Sequence, residues 1–69
     1  MPEANVELWP LKTVIAKTGM SRSFIYRDMK AGKFPARVLV GSAARWPSTK
    51  VQGWINEQAA AQTGGYVGG

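Results

Sequence analysis

The sequence predicts a mainly α domain with a small β-ribbon, a winged helix-turn-helix in the order helix, turn, helix, ribbon, helix. Three observations predict it. Two short apolar-striped segments are joined by Gly19-Met20-Ser21. After Pro35 the hydrophobic period changes from helical to alternating. After Trp46 it becomes helical again.

The first helix is expected over 11–18. Leu11, Val14 and Ile15 stand at i, i+3 and i+4, one face of a helix. Gly19 suits the left-handed residue that ends a helix. Ser21 is a good cap for the second helix, since its hydroxyl can accept from the backbone N–H of Ser23 or Phe24. That helix is expected over 22–31, with Ile25 and Met29 as its buried stripe, Met20 extending the stripe before it and Gly32 ending it. Ala36, Val38 and Val40 alternate with Arg37 and Leu39, so a strand is expected with the valines inward. A turn at Gly41-Ser42-Ala43 leads to a short return strand through Ala44, Arg45 and Trp46. Ser48 or Thr49 would cap the last helix, and Thr49 with Gln52 has capping-box spacing. Val51, Trp54, Ile55 and Gln58 define that helix's inner face.

The expected core is Leu8, Leu11, Val14, Ile15, Met20, Ile25, Met29, Phe34, Val38, Val40, Trp46, Val51, Trp54 and Ile55. The expected organisation is a flexible segment at 1–7, the folded domain at 8–58 and a flexible alanine- and glycine-rich tail at 59–69, whose alanines could extend a helix. A chain of 69 residues makes one small domain.

Composition excludes several functions. There is no cysteine and no histidine, which removes thiolate sites, the commonest metal ligand and the usual proton shuttle. The four acids are Glu3, Glu7, Asp28 and Glu57, and they form no catalytic pair in the body of the chain. No phosphate loop or dinucleotide glycine pattern occurs. An enzyme is not expected, nor a cofactor, a metal or a small-molecule substrate. No apolar run reaches spanning length and no leader is evident, so a cytoplasmic protein that makes no membrane contact is expected.

The charge is more informative. Nine Lys and Arg give a net charge of +5, and all nine lie between Lys12 and Lys50, where only Asp28 opposes them. Such a field favours polyanions. With Ile25 and Met29 inward, helical geometry turns Arg22, Ser23, Tyr26, Arg27 and Lys30 outward or to the flanks. Arginine can bridge guanine O6 and N7, and serine can bond a base or a phosphate. Tyr26 and Lys30 suit phosphate. Arg37 and Arg45 would extend from the wing to the DNA backbone or minor groove. Several residues have two readings. Phe24 either covers the core edge or touches thymine methyls. Tyr26 either packs or holds phosphate. Arg45 either contacts phosphate or makes a structural hydrogen bond. Lys50, unfavourably placed at a helix start, would be relieved by a nearby phosphate.

The string from Leu11-Lys-Thr-Val through Thr-Gly-Met-Ser-Arg-Ser-Phe-Ile-Tyr-Arg to Lys-Phe-Pro, then Arg-Trp and Val-Gln-Gly-Trp-Ile, resembles the AlpA-like family. These are small prophage-associated regulators with a MerR-like winged helix-turn-helix. The resemblance implies double-stranded DNA as partner, regulation of prophage or integrase genes, and in some relatives excisionase activity as a recombination directionality factor. It implies an integrase, or further copies of the chain on DNA, as additional partners. Ser21, Arg22, Ser23, Tyr26 and Arg27 match the family's recognition-helix motif, and Arg45 matches the wing arginine. Phe24 replaces the usual threonine, Leu39 replaces a common polar residue, and the wing turn is short. Those departures favour an alternative, a small adaptor that grips an integrase or a host protein instead of reading DNA.

Overall fold

The structure, a computed structural model, describes residues 6–65. Its elements are β1 (Leu8–Trp9), α1 (Leu11–Thr18), α2 (Arg22–Lys30), β2 (Val38–Val40), β3 (Ala43–Pro47) and α3 (Ser48–Gly65). The strands form one antiparallel sheet in the order β1-β3-β2. Three helices with this sheet are compatible with a small helix-turn-helix domain carrying a wing. The expected ribbon is thus two strands of a three-stranded sheet. Two-residue β1 is too short to show a period, which is why the pattern did not reveal it.

Local chemistry sets the helix ends. Pro10 precedes α1 with φ −72°, and its carbonyl accepts from the N–H groups of Thr13 and Val14. Gly19 closes α1 at φ +75°, with its N–H on the Ile15 carbonyl at 2.8 Å. The Thr18 hydroxyl donates to the Val14 carbonyl at 2.8 Å and accepts from the Met20 N–H at 3.1 Å. The turn between the helices is therefore pinned by both backbone and side chain. Ser21 caps α2 as expected, accepting from the Phe24 N–H at 3.1 Å. At the other end Gly32 takes φ +78°, and the Lys33 N–H folds back onto the Asp28 carbonyl at 2.7 Å. The hairpin turn is Gly41-Ser42, with Gly41 at φ +65°, the positive φ that suits tight hairpins.

A reciprocal pair joins the two ends of the domain. The Ser48 N–H donates to the Glu7 carbonyl at 2.7 Å, and the Glu7 N–H donates to the Ser48 hydroxyl at 2.8 Å. This corrects two expectations. Glu7 is not frayed, and the Ser48 hydroxyl serves the sheet edge instead of capping α3. The proposed Thr49–Gln52 box is also not made; the Gln52 amide donates to the Asn56 side chain at 3.2 Å. Of the segment expected to be flexible at the start, residues 1–5 lie outside the described residues.

The core centres on Val14, Ile25, Phe34, Trp46 and Val51, with Trp46, Ile25, Val14 and Val51 fully buried. Trp9, Leu11, Ile15, Met20, Phe24, Tyr26, Met29, Ala44, Trp54 and Ile55 surround them. Leu8, Val38 and Val40 are exposed, against expectation. The strand register explains the valines. Val38 pairs with Arg45 and Leu39 with Ala44, and directly paired residues share a face. Trp46 and Ala44 face the core, so Val38 and Val40 face away from it. The alternation was right and its parity was wrong, which turns the whole strand over. Leu39 shares the Trp46 side yet stays 62% exposed, because α1 and α3 pack on β3 while β2 extends past them.

The last helix takes in the alanine run that the sequence left open as its extension, and goes on into the glycines. Gln58 does not end it; α3 continues to Gly65. Ala59, Ala60 and Ala61 are the best helix formers and carry it onward. The rest of the expected tail, 66–69, lies outside the described residues.

Two glycines should respond oppositely to alanine. Neither site has any atom within 4 Å of an added Cβ, so backbone preference decides. Gly53→Ala, inside α3, should stabilise the fold by about 0.5–1 kcal/mol. Gly19→Ala, at φ +75°, should destabilise it by about 1–3 kcal/mol. Urea denaturation followed by tryptophan fluorescence checks both; equal shifts of the same sign would contradict this account.

Candidate nucleic-acid interface

Helix α2 is short enough that two anchors orient it. Ile25 is fully buried and Met29 packs against the core. At about 100° per residue, Ser23 and Arg27 then form the crest opposite the core. Ser21, Arg22, Ser23, Arg27 and Lys30 are all exposed. The crest is framed by two aromatic flanks.

On one flank, Phe24 is half-buried and stands edge-on to Trp54, with ring centroids 6.3 Å apart. It therefore covers the core edge, resolving one of its two readings. The Arg27 guanidinium lies 5.1 Å from the Phe24 ring centroid, and its Nε is 3.3 Å from Asp28 Oδ1. The residue at the crest is thus tethered sideways by an aromatic face and an acid. The ion pair is weak, since the arginine side chain is 70% exposed.

On the other flank, Tyr26 is half-buried and meets Trp46 edge-on at 6.2 Å. Its ring packs, yet it also faces two cations. The guanidinium carbons of Arg22 and Arg37 each lie 6.0 Å from its centroid. Tyr26, Met29, Lys30 and Arg37 line a shallow groove beside the helix.

The two wing arginines separate. Arg37 comes to α2. Arg45 sits opposite Val38 on the sheet face that turns away from Trp46, and its Nη1 donates to the Ala44 carbonyl at 2.9 Å. A structural hydrogen bond was one of its two readings, and the structure has that bond. The site residues expected from sequence therefore fall into a main group, Arg22, Ser23, Tyr26, Arg27, Lys30 and Arg37, with Ser21 engaged as the helix cap and Arg45 on the far face.

Lys33, not singled out in the sequence, and Lys50, noted there only as a charge that a phosphate would relieve, come together elsewhere. They line one open groove with Phe34, Thr49, Trp54 and the acid Glu57, between the end of α2 and the start of α3. The Trp54 indole N–H holds the Lys33 carbonyl at 2.9 Å, which fixes that loop on α3. The available signal was the misplaced charge of Lys50 at a helix start. Lys33 had none, because its neighbour α3 is distant in sequence.

Among the described residues no group of acids, cysteines or histidines could hold a metal ion. No described helix is long and apolar enough to cross a membrane.

Asp28 opposes the field of this face and restrains Arg27. Asp28→Asn should tighten binding to duplex of arbitrary sequence several-fold at low salt, because it removes the one acid opposing the field of this face. Fluorescence anisotropy titration measures it, and unchanged or weaker binding would contradict the assigned role of the pair.

Comparison with protein families gives a match over most of the chain. The family model described as prophage CP4-57 regulatory protein (AlpA) matches residues 8–59. No curated protein and no solved structure matches the chain. The match covers most of the sequence and both halves of the site, so the chain belongs to the AlpA family of prophage regulatory proteins.

Proposed function

We propose that this protein is a sequence-specific DNA-binding regulator of prophage type, with a winged helix-turn-helix that lays α2 in the major groove. The carrying observation is the exposed crest of α2, where Ser23 and Arg27 project between two packed aromatic flanks. Membership of a family of prophage regulatory proteins supports the same reading. So does the basic stretch between Lys12 and Lys50, opposed only by Asp28.

In this reading Arg27 and Ser23 address base edges, because they stand furthest from the core. Ser21, Arg22, Tyr26, Lys30 and Arg37 complete the contact set on this face, chiefly toward the backbone, while Arg45, on the far face of the sheet, reaches DNA only if the duplex wraps around the wing. Phosphate contacts set register and affinity, while base contacts set specificity. The regulated event is transcription of prophage genes, excision of the element, or both through one binding site, and the working compartment is the bacterial nucleoid. An integrase or further copies of the chain would be recruited on that DNA.

A second reading has one observation in its favour. Val38, Leu39 and Val40 are all exposed along an edge strand, an apolar surface of the kind that meets protein. The adaptor reading uses that strand and leaves α2 idle. Charge reversal at Arg22 and Arg27 separates the two, since activity that survives it belongs to the adaptor.

Purified protein mixed with sheared source-genome DNA, recovered and sequenced, should enrich a few sites. Binding to such a site should show a log–log salt slope of about −4 to −5, corresponding to roughly four to six phosphates. Arg27→Ala should remove about 1–3 kcal/mol of discrimination at one base position. Uniform recovery of fragments, or wild-type discrimination by that variant, would overturn the sequence-reading role.

A further inference from the structure

We propose that Tyr26 is a positioning residue that gathers Arg22 and Arg37 into one clamp for a single backbone phosphate. This rests on the DNA-binding reading and assigns part of its contact set a joint action.

The argument starts from the ring. Tyr26 is held edge-on against Trp46 at 6.2 Å, and Trp46 is fully buried. The platform is therefore anchored to the rigid centre of the domain. Two guanidinium groups from different parts of the chain lie 6.0 Å from the ring centroid, within the range of cation–π attraction. One comes from the first turn of α2 and the other from the segment leading into β2. Their separation is no more than twice that distance, and Lys30 lines the same groove as Tyr26 and Arg37.

Like charges so placed repel one another. No acid offsets them, since the only ion pair among the described residues joins Arg27 to Asp28. An aromatic face attracts each cation weakly but does not neutralise either. The cluster is thus built for an anion that arrives from outside, and arginine's planar fork suits a phosphate. A phosphodiester bridging both guanidinium groups would bind the recognition helix and the wing at once. Removing either arginine leaves the other with half a site, so their contributions should overlap.

The test is a double-mutant cycle on the full chain, read by anisotropy with a labelled short duplex of arbitrary sequence across a salt series. Arg22→Ala, Arg37→Ala and the double variant are compared in three backgrounds: unmodified Tyr26, Tyr26→Phe and Tyr26→Leu. The first two backgrounds keep an aromatic ring at the position. In both, the double variant should lose at least about threefold less affinity than the product of the single losses. In Tyr26→Leu the losses should multiply, and the salt slope should be shallower by about 0.9, one phosphate. Multiplying losses in the unmodified background would overturn the clamp, as would a Tyr26→Leu variant with wild-type affinity and slope. Circular dichroism checks folding. If Tyr26→Leu does not fold, Tyr26→Met, an unbranched side chain without a ring, takes its place, and multiplying losses in the first two backgrounds still overturn the clamp. Absence of any duplex binding by the unmodified protein at low salt is a different failure, one that overturns the DNA-binding reading itself and the clamp with it.

Discussion

The indole of Trp46 has no exposed surface, yet its N–H reaches the Pro35 carbonyl at 3.2 Å. A side chain of that size removes about 150–250 Å² from water, and it heads the fully buried side chains of the domain. Meeting its one polar atom is the condition for doing so, because an unpaired buried donor is costly. The Pro35 carbonyl meets it from the loop that links α2 to the wing. Other parts of the fold follow. β1 pairs with β3 at Trp46 itself through Trp9, α1 and α3 pack on β3, and Tyr26 rests against the indole. Trp54 acts likewise a short way off, holding the Lys33 carbonyl and stacking edge-on with Phe34 at 4.9 Å. The loop 33–35 is thus gripped at two carbonyls by two tryptophans.

Much of this was legible because it is local. The left-handed residue after α1, the serine cap of α2 and the tight hairpin turn each depend on a few adjacent residues, and each residue type has one conformational use there. The helical stripes were legible for the same reason. What was not legible depends on partners far along the chain. Strand β1 exists because Glu7 finds Ser48, and nothing near Glu7 announces that. The parity of β2 was misjudged because Val38 and Val40 look like core residues by type, while their face is chosen by pairing with Arg45 and Ala43. The site divided in the same way. Arg22, Ser23, Arg27 and Lys30 follow from the anchors of one helix. The meeting of Arg37 with Tyr26 and the departure of Arg45 to the opposite face are tertiary facts.

The electrostatic design follows the packing. The basic residues cluster in the middle of the sequence, and several sit on rings: Lys17 lies 5.3 Å from the Trp9 centroid, and Arg22 and Arg37 lie beside Tyr26. Aromatic faces let cations be held in place without acids to neutralise them. The surface keeps its positive field and gains order, two properties that salt bridges would trade against each other.

The reciprocal bond between Glu7 and Ser48 spans 41 residues, and this has a bearing on how the molecule is made. Contacts of such long sequence separation form slowly, since a large loop must close before they are rewarded. The α1–α2 hairpin, by contrast, closes through a three-residue turn. During synthesis the local contacts of the helical pair come within reach first, while the sheet must wait for β3 and the first residues of α3. Trp46 arrives with them. Until then the hairpin lacks the indole on which Tyr26 rests, so the surface presented by α2 acquires its final shape only once β3 has been made.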